Sequence, residues 1–288
     1  MPIEGVMPAK ETPFFSVIIP TFDRKDFLHT AIMSVLDQTF PDFELIVVDD
    51  GSSDGTGEMV EKVEDKRLKY IYQENHGVAH ARNKALKRSK GDFIALLDSD
   101  DRWVPEKLSR AFHYIKQFPD IKIFHTEEVW FRQGKILNQK RIHSNPSGFV
   151  YQKALPMCCI SISTAVARKD VFNTVGGFDE SLEACEDYDL WLRATHRYEV
   201  KLIPECLTIK DGGRPDQLSS RIWGLDRFRI RALVKMLDSG ILDKEDYQAT
   251  YAQLTRKCKI FALGARKRGR EEQGRIVLSL IDKYASGT

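Results

Sequence analysis

Three aspartates within four positions, Asp98, Asp100 and Asp101, follow directly on the apolar run at 93–97. Such a run is long enough for one strand buried on both faces, so the acids fall at its carboxyl end. Ligands of open α/β sheets bind at that edge. Crowded carboxylates cost Coulomb energy unless a cation or hydrogen-bond donors offset it. A hard divalent cation carrying a diphosphate offsets it well, because Mg²⁺ and Mn²⁺ favour carboxylate, water and phosphate oxygens. In isolation the same four residues read first as an acidic turn with a helix cap. A second acid pair, Glu186-Asp187, precedes Leu190, Trp191 and Ala194, whose spacing predicts one apolar helix face. There the pair serves either the helix dipole or proton abstraction.

These acids need elements to position them. Apolar runs at 14–20, 44–48, 68–72 and 93–97 predict strands, and helical spacing over 25–38 and 77–90 predicts helices between them. Regular alternation gives a parallel, doubly wound sheet through right-handed crossovers. The ends of its strands then share one edge: Pro20-Thr21, Asp49-Asp50 and Asp98–Asp101, with Arg82 on the helix after the third strand. No G-x-G-x-x-G and no G-x-x-x-x-G-K-[ST] follows any of the strands. Phosphate would have to be met through a metal and a few basic side chains. Further on, Pro105 and Glu106 suit the first turn of a helix over 105–118. Strands are expected at 121–131, 135–141, 161–167 and 201–209, with a turn at Gly134. A short helix should occupy 168–175. Gly176-Gly177 should form a tight turn that lets backbone approach a bound sugar.

The bulk numbers set bounds. The chain has 288 residues, 42% hydrophobic and 30% charged, with a net charge of +2. That balance fits a soluble protein and argues against a nucleic-acid partner. No stretch approaches the ~18 apolar residues of a spanning helix, and residues 1–13 read as a disordered tail without an apolar signal region. The five cysteines form no C-x-x-C pair, which suits a reducing compartment and a cytoplasmic address. Cys158 and Cys159 read as core thiols, and His125 and His143 as structural histidines rather than ligands. From residue 221 onward three basic helices are expected, at 223–237, 244–268 and 271–284. This segment carries 15 Lys and Arg against 8 Asp and Glu. One reading is peripheral contact with an anionic membrane; the other is a solvated face of helices packed on the rest.

The ordered set FSVIIPTFDR, ELIVVDDGSSDGT, GVAHARNKAL, GDFIALLDSDD, GGFDESL and EDYDLWLRA resembles the family 2 glycosyltransferases of the GT-A fold. The resemblance spans about residues 14–193. It implies an α/β, Rossmann-like, mostly parallel central sheet flanked by helices, with a C-terminal helical appendage. The implied organisation is a catalytic domain over 14–220, with a nucleotide-binding half at 14–105 and an acceptor half at 106–220, followed by the basic segment 221–288. By the same resemblance Pro20 and Thr21 line the nucleotide base, Asp50 accepts from it, and Arg82 lies near base and phosphates. Asp98 faces the ribose and shares a divalent cation, Mn²⁺ or Mg²⁺, with Asp100; Asp211 is a further candidate ligand. Asp187 is the implied catalytic base, with Glu186 and Trp191 in support and Asp101 first a helix cap. Family members often carry a histidine in the segment at 210–219; this chain has Asp211 and Arg214 there instead. The function so implied is inverting, metal-dependent transfer from a UDP- or dTDP-sugar to a glycan or lipid-linked saccharide. The rivals are a sugar-nucleotidyltransferase, which would carry a Gly-rich basic loop after the first strand, and an inactive nucleotide-sugar-binding or scaffold module.

Overall fold

The computed structural model describes residues 12–132, 135–137, 146–212 and 222–285. The expectations for residues 1–11, Gly134, His143 and Arg214 lie outside the described residues.

Four parallel strands make the first half: β1 (Phe15–Thr21), β2 (Phe43–Asp49), β3 (Leu68–Tyr72) and β4 (Phe93–Leu96). Every residue of β1, β2 and β4 is buried, as continuous apolar runs require when helices cover both faces. Register places Thr21 beside Asp49 and Ile18 beside Leu96, so the chain leaves β1, β2 and β4 at one edge. Helices α1 (Lys25–Leu36), α2 (Thr56–Val60) and α3 (Val78–Arg88) make the crossovers. The loop after β2 turns at Gly51, whose φ of +92° and close approach to the Asn75 backbone exclude a side chain.

The second half is mixed. β5 (Asp101–Trp103), β6 (Ile123–Arg132), β7 (Lys135–Leu137), β8 (Val166–Arg168) and β9 (Val200–Asp211) extend the sheet in the order β3-β2-β1-β4-β8-β6-β9-β5, with β7 beside β6. Six strands run one way; β5, β7 and β8 oppose their neighbours. The expected strand at 161–167 is instead a 3₁₀ turn, Ile162–Thr164, followed by β8. The Trp103 indole donates to Ser163 O at 2.7 Å and the buried Lys107 ammonium to Thr164 O at 2.6 Å, which holds that turn.

Asp101 is not the helix cap expected of it. It opens β5, opposite Lys210 of β9, and α4 (Lys107–Gln117) begins six residues later. The reason is electrostatic: the buried Asp101 carboxylate lies 3.2 Å from the Lys210 ammonium and accepts from Ser163 Oγ at 2.6 Å. Those partners sit in the sheet, so the backbone goes there too.

Helices α5 (Tyr151–Ala154), α6 (Lys169–Val175) and α7 (Glu186–Arg197) complete the first body. The C-terminal helices α8 (Asp226–Asp238), α9 (Lys244–Arg266) and α10 (Glu271–Tyr284) share an apolar cluster with Tyr188 and Leu192 of α7 and with Tyr151 and Leu155. They are packed on α7 rather than tethered to it. Among the described residues no helix is long and apolar enough to cross a membrane.

Candidate active site

A cavity of about 770 Å³ opens at the carboxyl edge of the parallel strands. Pro20, Thr21, Asp50, Arg82, Asp98 and Asp100 line it from the first half, and Asp101, Glu186 and Asp187 from the second. The structure therefore brings nearly all the sequence-nominated residues to one rim. Trp191 and Asp211 are the exceptions. Trp191 is 1% exposed, inside an apolar cluster between α7 and the sheet, and does not line the cavity. Asp211 is ion-paired with Arg102 and does not line the cavity. Successive side chains of a strand point to opposite faces, so β9 sends Lys210 toward Asp101 and Asp211 away from it.

Asp98, Asp100 and Asp101 present carboxylate oxygens that all lie within 4.8 Å of one another. Each meets a cation from a different element. Arg82 Nη2 of α3 is 2.7 Å from Asp98, Arg24 Nη1 at the start of α1 is 2.9 Å from Asp100, and Lys210 reaches Asp101. Burial pushes the Asp101 carboxyl well above the usual carboxylate range; Lys210 pulls it back, while Asp98 and Asp100 push it further up. The clustered carboxylates are the donor type that a hard divalent cation takes, and a cation held there would take over from Arg24, Arg82 or Lys210 as the counter-charge.

Asp50 is held by donors on both oxygens. Gln73 Nε2 at 2.6 Å and the His76 amide at 2.9 Å reach Oδ1, and the Gly77 amide at 2.8 Å reaches Oδ2. Beside it, Thr21 Oγ1 is buried without a partner among the described residues. Arg82 is buried and forks: Nη2 meets Asp98 and Nη1 pairs with Glu186 at the start of α7. One guanidinium thus ties the β4 acids to the α7 acids. Burial raises the Glu186 pKa and the Arg82 charge draws it down again. Neighbouring Asp187 accepts the Tyr188 amide at 2.7 Å on Oδ1 and the Cys158 thiol at 3.6 Å on Oδ2. Burial, then the Asp187 charge, keeps that thiol protonated, and its single proton has two acceptors, Ile160 O at 3.2 Å and the more distant Asp187.

The chain enters α7 through Cys185 at φ 62°, and Asp23 near the start of α1 has φ 47°. These are the two non-glycine residues in the left-handed region among the described residues, and both line the cavity. Such conformations cost of order 1 kcal/mol or more and cluster at functional sites. The expected close approach at Gly176-Gly177 is real, but its partner is protein. A Cβ at Gly177 would come within 2.4 Å of Asn83 Oδ1, and Asn83 bonds Phe178 through both its backbone groups. Glycine there lets the turn dock on α3.

Sequence reasoning missed Arg24, Ser163, Lys210 and Arg229. All but Ser163 line the cavity directly, and Ser163 donates to Asp101. Their signal was weak because a lone basic or hydroxyl residue belongs to no spaced motif, whichever element carries it. Arg229 comes from α8, a segment read only for its charge.

Comparison with known proteins gives a consistent picture. Residues 16–175 match the model of glycosyl transferase family 2. The chain is 35% identical over 185 residues to WfaP of Escherichia coli, a UDP-Glc:alpha-D-GlcNAc-diphosphoundecaprenol beta-1,3-glucosyltransferase, covering 62% of this chain and 68% of WfaP. It is 36% identical over 161 residues to TuaG of Bacillus subtilis, named for teichuronic acid biosynthesis, covering 55% of this chain but 63% of that protein. The chain thus spans less than two thirds of TuaG, and 26% of a matching Rickettsia bellii glycosyltransferase. The structure of S. aureus TarS 1-349 in complex with UDP-GlcNAc superposes with a TM-score of 0.73 at 22% identity, over 90% of this chain and 79% of TarS 1-349. That likeness extends the shared fold beyond the family match. A domain with this strand order, this acidic edge and this match over more than half its length belongs to glycosyl transferase family 2.

Proposed function

We propose that the chain is an inverting, metal-dependent glycosyltransferase that moves a sugar from a UDP- or dTDP-linked donor to a hydroxyl of a glycan or lipid-linked saccharide. One observation carries the reading. A single cavity holds both the clustered carboxylates after β4 and the acid pair opening α7, linked by Arg82.

The roles follow from chemistry and position. Pro20 and Thr21 form a wall for the nucleotide base, and the unpartnered Thr21 hydroxyl is free to bond it. Asp50, fixed by three donors, presents its remaining lone pairs to a ring N–H. Asp100 and Asp98 would hold Mn²⁺ or Mg²⁺, with Asp101 behind them. When bound, that cation supplies neutralisation of the departing diphosphate. Arg82 keeps Asp98 and Glu186 in register. Asp187 accepts the proton from the acceptor hydroxyl as its oxygen bonds the anomeric carbon and the bond to diphosphate breaks. Entry and departure on opposite faces of the sugar invert its configuration in a single displacement.

A lipid-linked acceptor agrees with the diphosphoundecaprenol substrate in the name of WfaP. It would bring the protein to the inner face of a membrane, with the basic helices α8–α10 as the peripheral contact and the cytoplasm as its compartment. Thermal-shift measurements across nucleotide sugars, with and without Mn²⁺, test the core reading. Stabilisation by one UDP- or dTDP-sugar that requires the metal is expected. No nucleotide sugar stabilising the chain under either condition would overturn it.

A further inference from the structure

A second hollow, of about 350 Å³, lies between the start of α8 and the C-terminal end of α9. Trp223, Asp226, Phe261 and Arg268 line it, and it shares Leu225 and Arg229 with the large cavity. The two are therefore neighbours, with Leu225 and Arg229 as their common wall. Arg229 Nη1 meets Asp226 at 3.0 Å, while its Nε is buried without an acceptor among the described residues. On its other side the guanidinium feels the charge of Asp187.

Charge and polarity in this hollow point one way. The single acid, Asp226, already has two cations, Arg229 and Lys257, the latter at 3.3 Å. Arg268 is exposed beyond it, and Arg268 and Arg270 stand over the Trp223 ring, 5.9 and 4.4 Å from its centroid. Next to these cations α9 exposes Ile260, which lines the hollow, and Leu263, at 50% and 63%. A cationic seat with an aromatic floor and an apolar lip suits an anionic headgroup on a hydrocarbon chain. Adjacency to the cavity gives that headgroup a direction: a sugar attached to it would lie past Arg229, on the side of the cavity that Asp187 lines.

We infer that the Trp223–Arg268 hollow seats the phosphate end of a lipid diphosphate acceptor, with Arg229 as the positioning residue between that phosphate and Asp187. The inference rests on the proposed glycosyl transfer and names where its acceptor binds. It makes the C-terminal helices part of the acceptor site.

Decyl diphosphate is a soluble probe, and calorimetric titration into the full chain in EDTA removes any metal-bridged seat on the acidic cluster. UDP titrated in parallel with Mn²⁺ reports the donor side. Binding of decyl diphosphate is expected, unaffected by saturating UDP and weakened about tenfold or more in Arg268→Gln and in Arg229→Gln. Arg268 is exposed, so its variant should fold, and retained UDP affinity would confirm that. In transfer assays with a decyl-diphosphate-linked sugar, Arg229→Gln should raise KM and also lower kcat, whereas Arg268→Gln should raise KM alone. The inference falls if UDP binds but decyl diphosphate does not, if UDP displaces it, or if both variants bind it normally. It also falls if only anionic phospholipid vesicles lose affinity in Arg268→Gln, for the hollow would then be a membrane contact. Failure of UDP itself to bind would count against the donor reading and is separable from all of these.

Discussion

The two acidic regions of the cavity are built on opposite plans. After β4, each of three carboxylates is matched by its own cation, from the start of α1, from α3 and from β9. At the start of α7 the matching stops halfway. Glu186 takes Arg82, whereas the Asp187 carboxylate is contacted by neutral donors, a thiol and a backbone amide. A paired cation favours the charged form of a carboxylate, although at Asp101 burial and the neighbouring acids outweigh Lys210. The acid that makes no ion pair among the described residues is the one to which the proposed mechanism gives the acceptor's proton. The difference teaches that the β4 acids and Asp187 should fail differently when altered.

The largest effect should come from Asp187→Asn. The amide keeps the shape but cannot take a proton, so transfer should fall by about 10²–10⁴-fold. Donor affinity, read by titration with the nucleotide sugar and Mn²⁺, should stay within about twofold. Asp100→Asn should instead weaken Mn²⁺ and donor together by roughly tenfold or more, with the loss of rate following from that. Equal loss of donor affinity in both variants would erase the distinction between the regions.

Arg82→Met comes next, because it cuts the link between them. It leaves Glu186 buried beside Asp187 with no counter-charge, and removing one partner of a buried pair costs about 3–5 kcal/mol. At roughly 2–4 °C per kcal/mol for a chain of this class, the midpoint of thermal unfolding should fall by about 6–20 °C. Arg82→Met with additional Glu186→Gln should recover part of that loss, since a neutral amide needs no cation. A double variant no more stable than Arg82→Met would show that Glu186 is not the group left stranded.

How much of this the sequence carried depends on range. The four parallel strands and the helices between them were readable because each is a local run with its own periodicity, and their common edge follows from topology alone. Asp98, Asp100 and Asp187 were readable as types in a pattern. Asp101 was misread as a cap because its decisive partners, Lys210 and Ser163, are 109 and 62 residues away, and no local pattern announces them. Asp211 failed for a related reason: which of two adjacent residues on β9 faces the cluster is a matter of register with β5. Arg229 was invisible among the basic residues of α8. The 3₁₀ turn at Ile162–Thr164 is small-residue sequence held by Trp103 and Lys107, again from a distance.

The smallest prediction separates acid effects on the site from acid effects on the fold. His125, fully buried in β6, donates through Nε2 to Pro146 O at 2.8 Å, and burial pushes its pKa down to about 4. Lys107 stands near enough to push it the same way. Unfolded, the imidazole titrates near 6.5, so between the two values the unfolded chain binds the extra proton. Its contribution is therefore fully present above about pH 6.5 and is lost as pH falls toward 4. The total is on the order of 3 kcal/mol. In His125→Gln the amide can still donate to Pro146 O, so the variant should lose this slope even if its stability at neutral pH is lower. Denaturant unfolding at pH 7, 6, 5 and 4 measures it: the gap between wild type and variant should narrow steadily on acidification. Activity lost over the same range in His125→Gln then belongs to the carboxylates of the cavity, and a gap that does not move with pH would mean that His125 is not the group whose protonation loosens the fold.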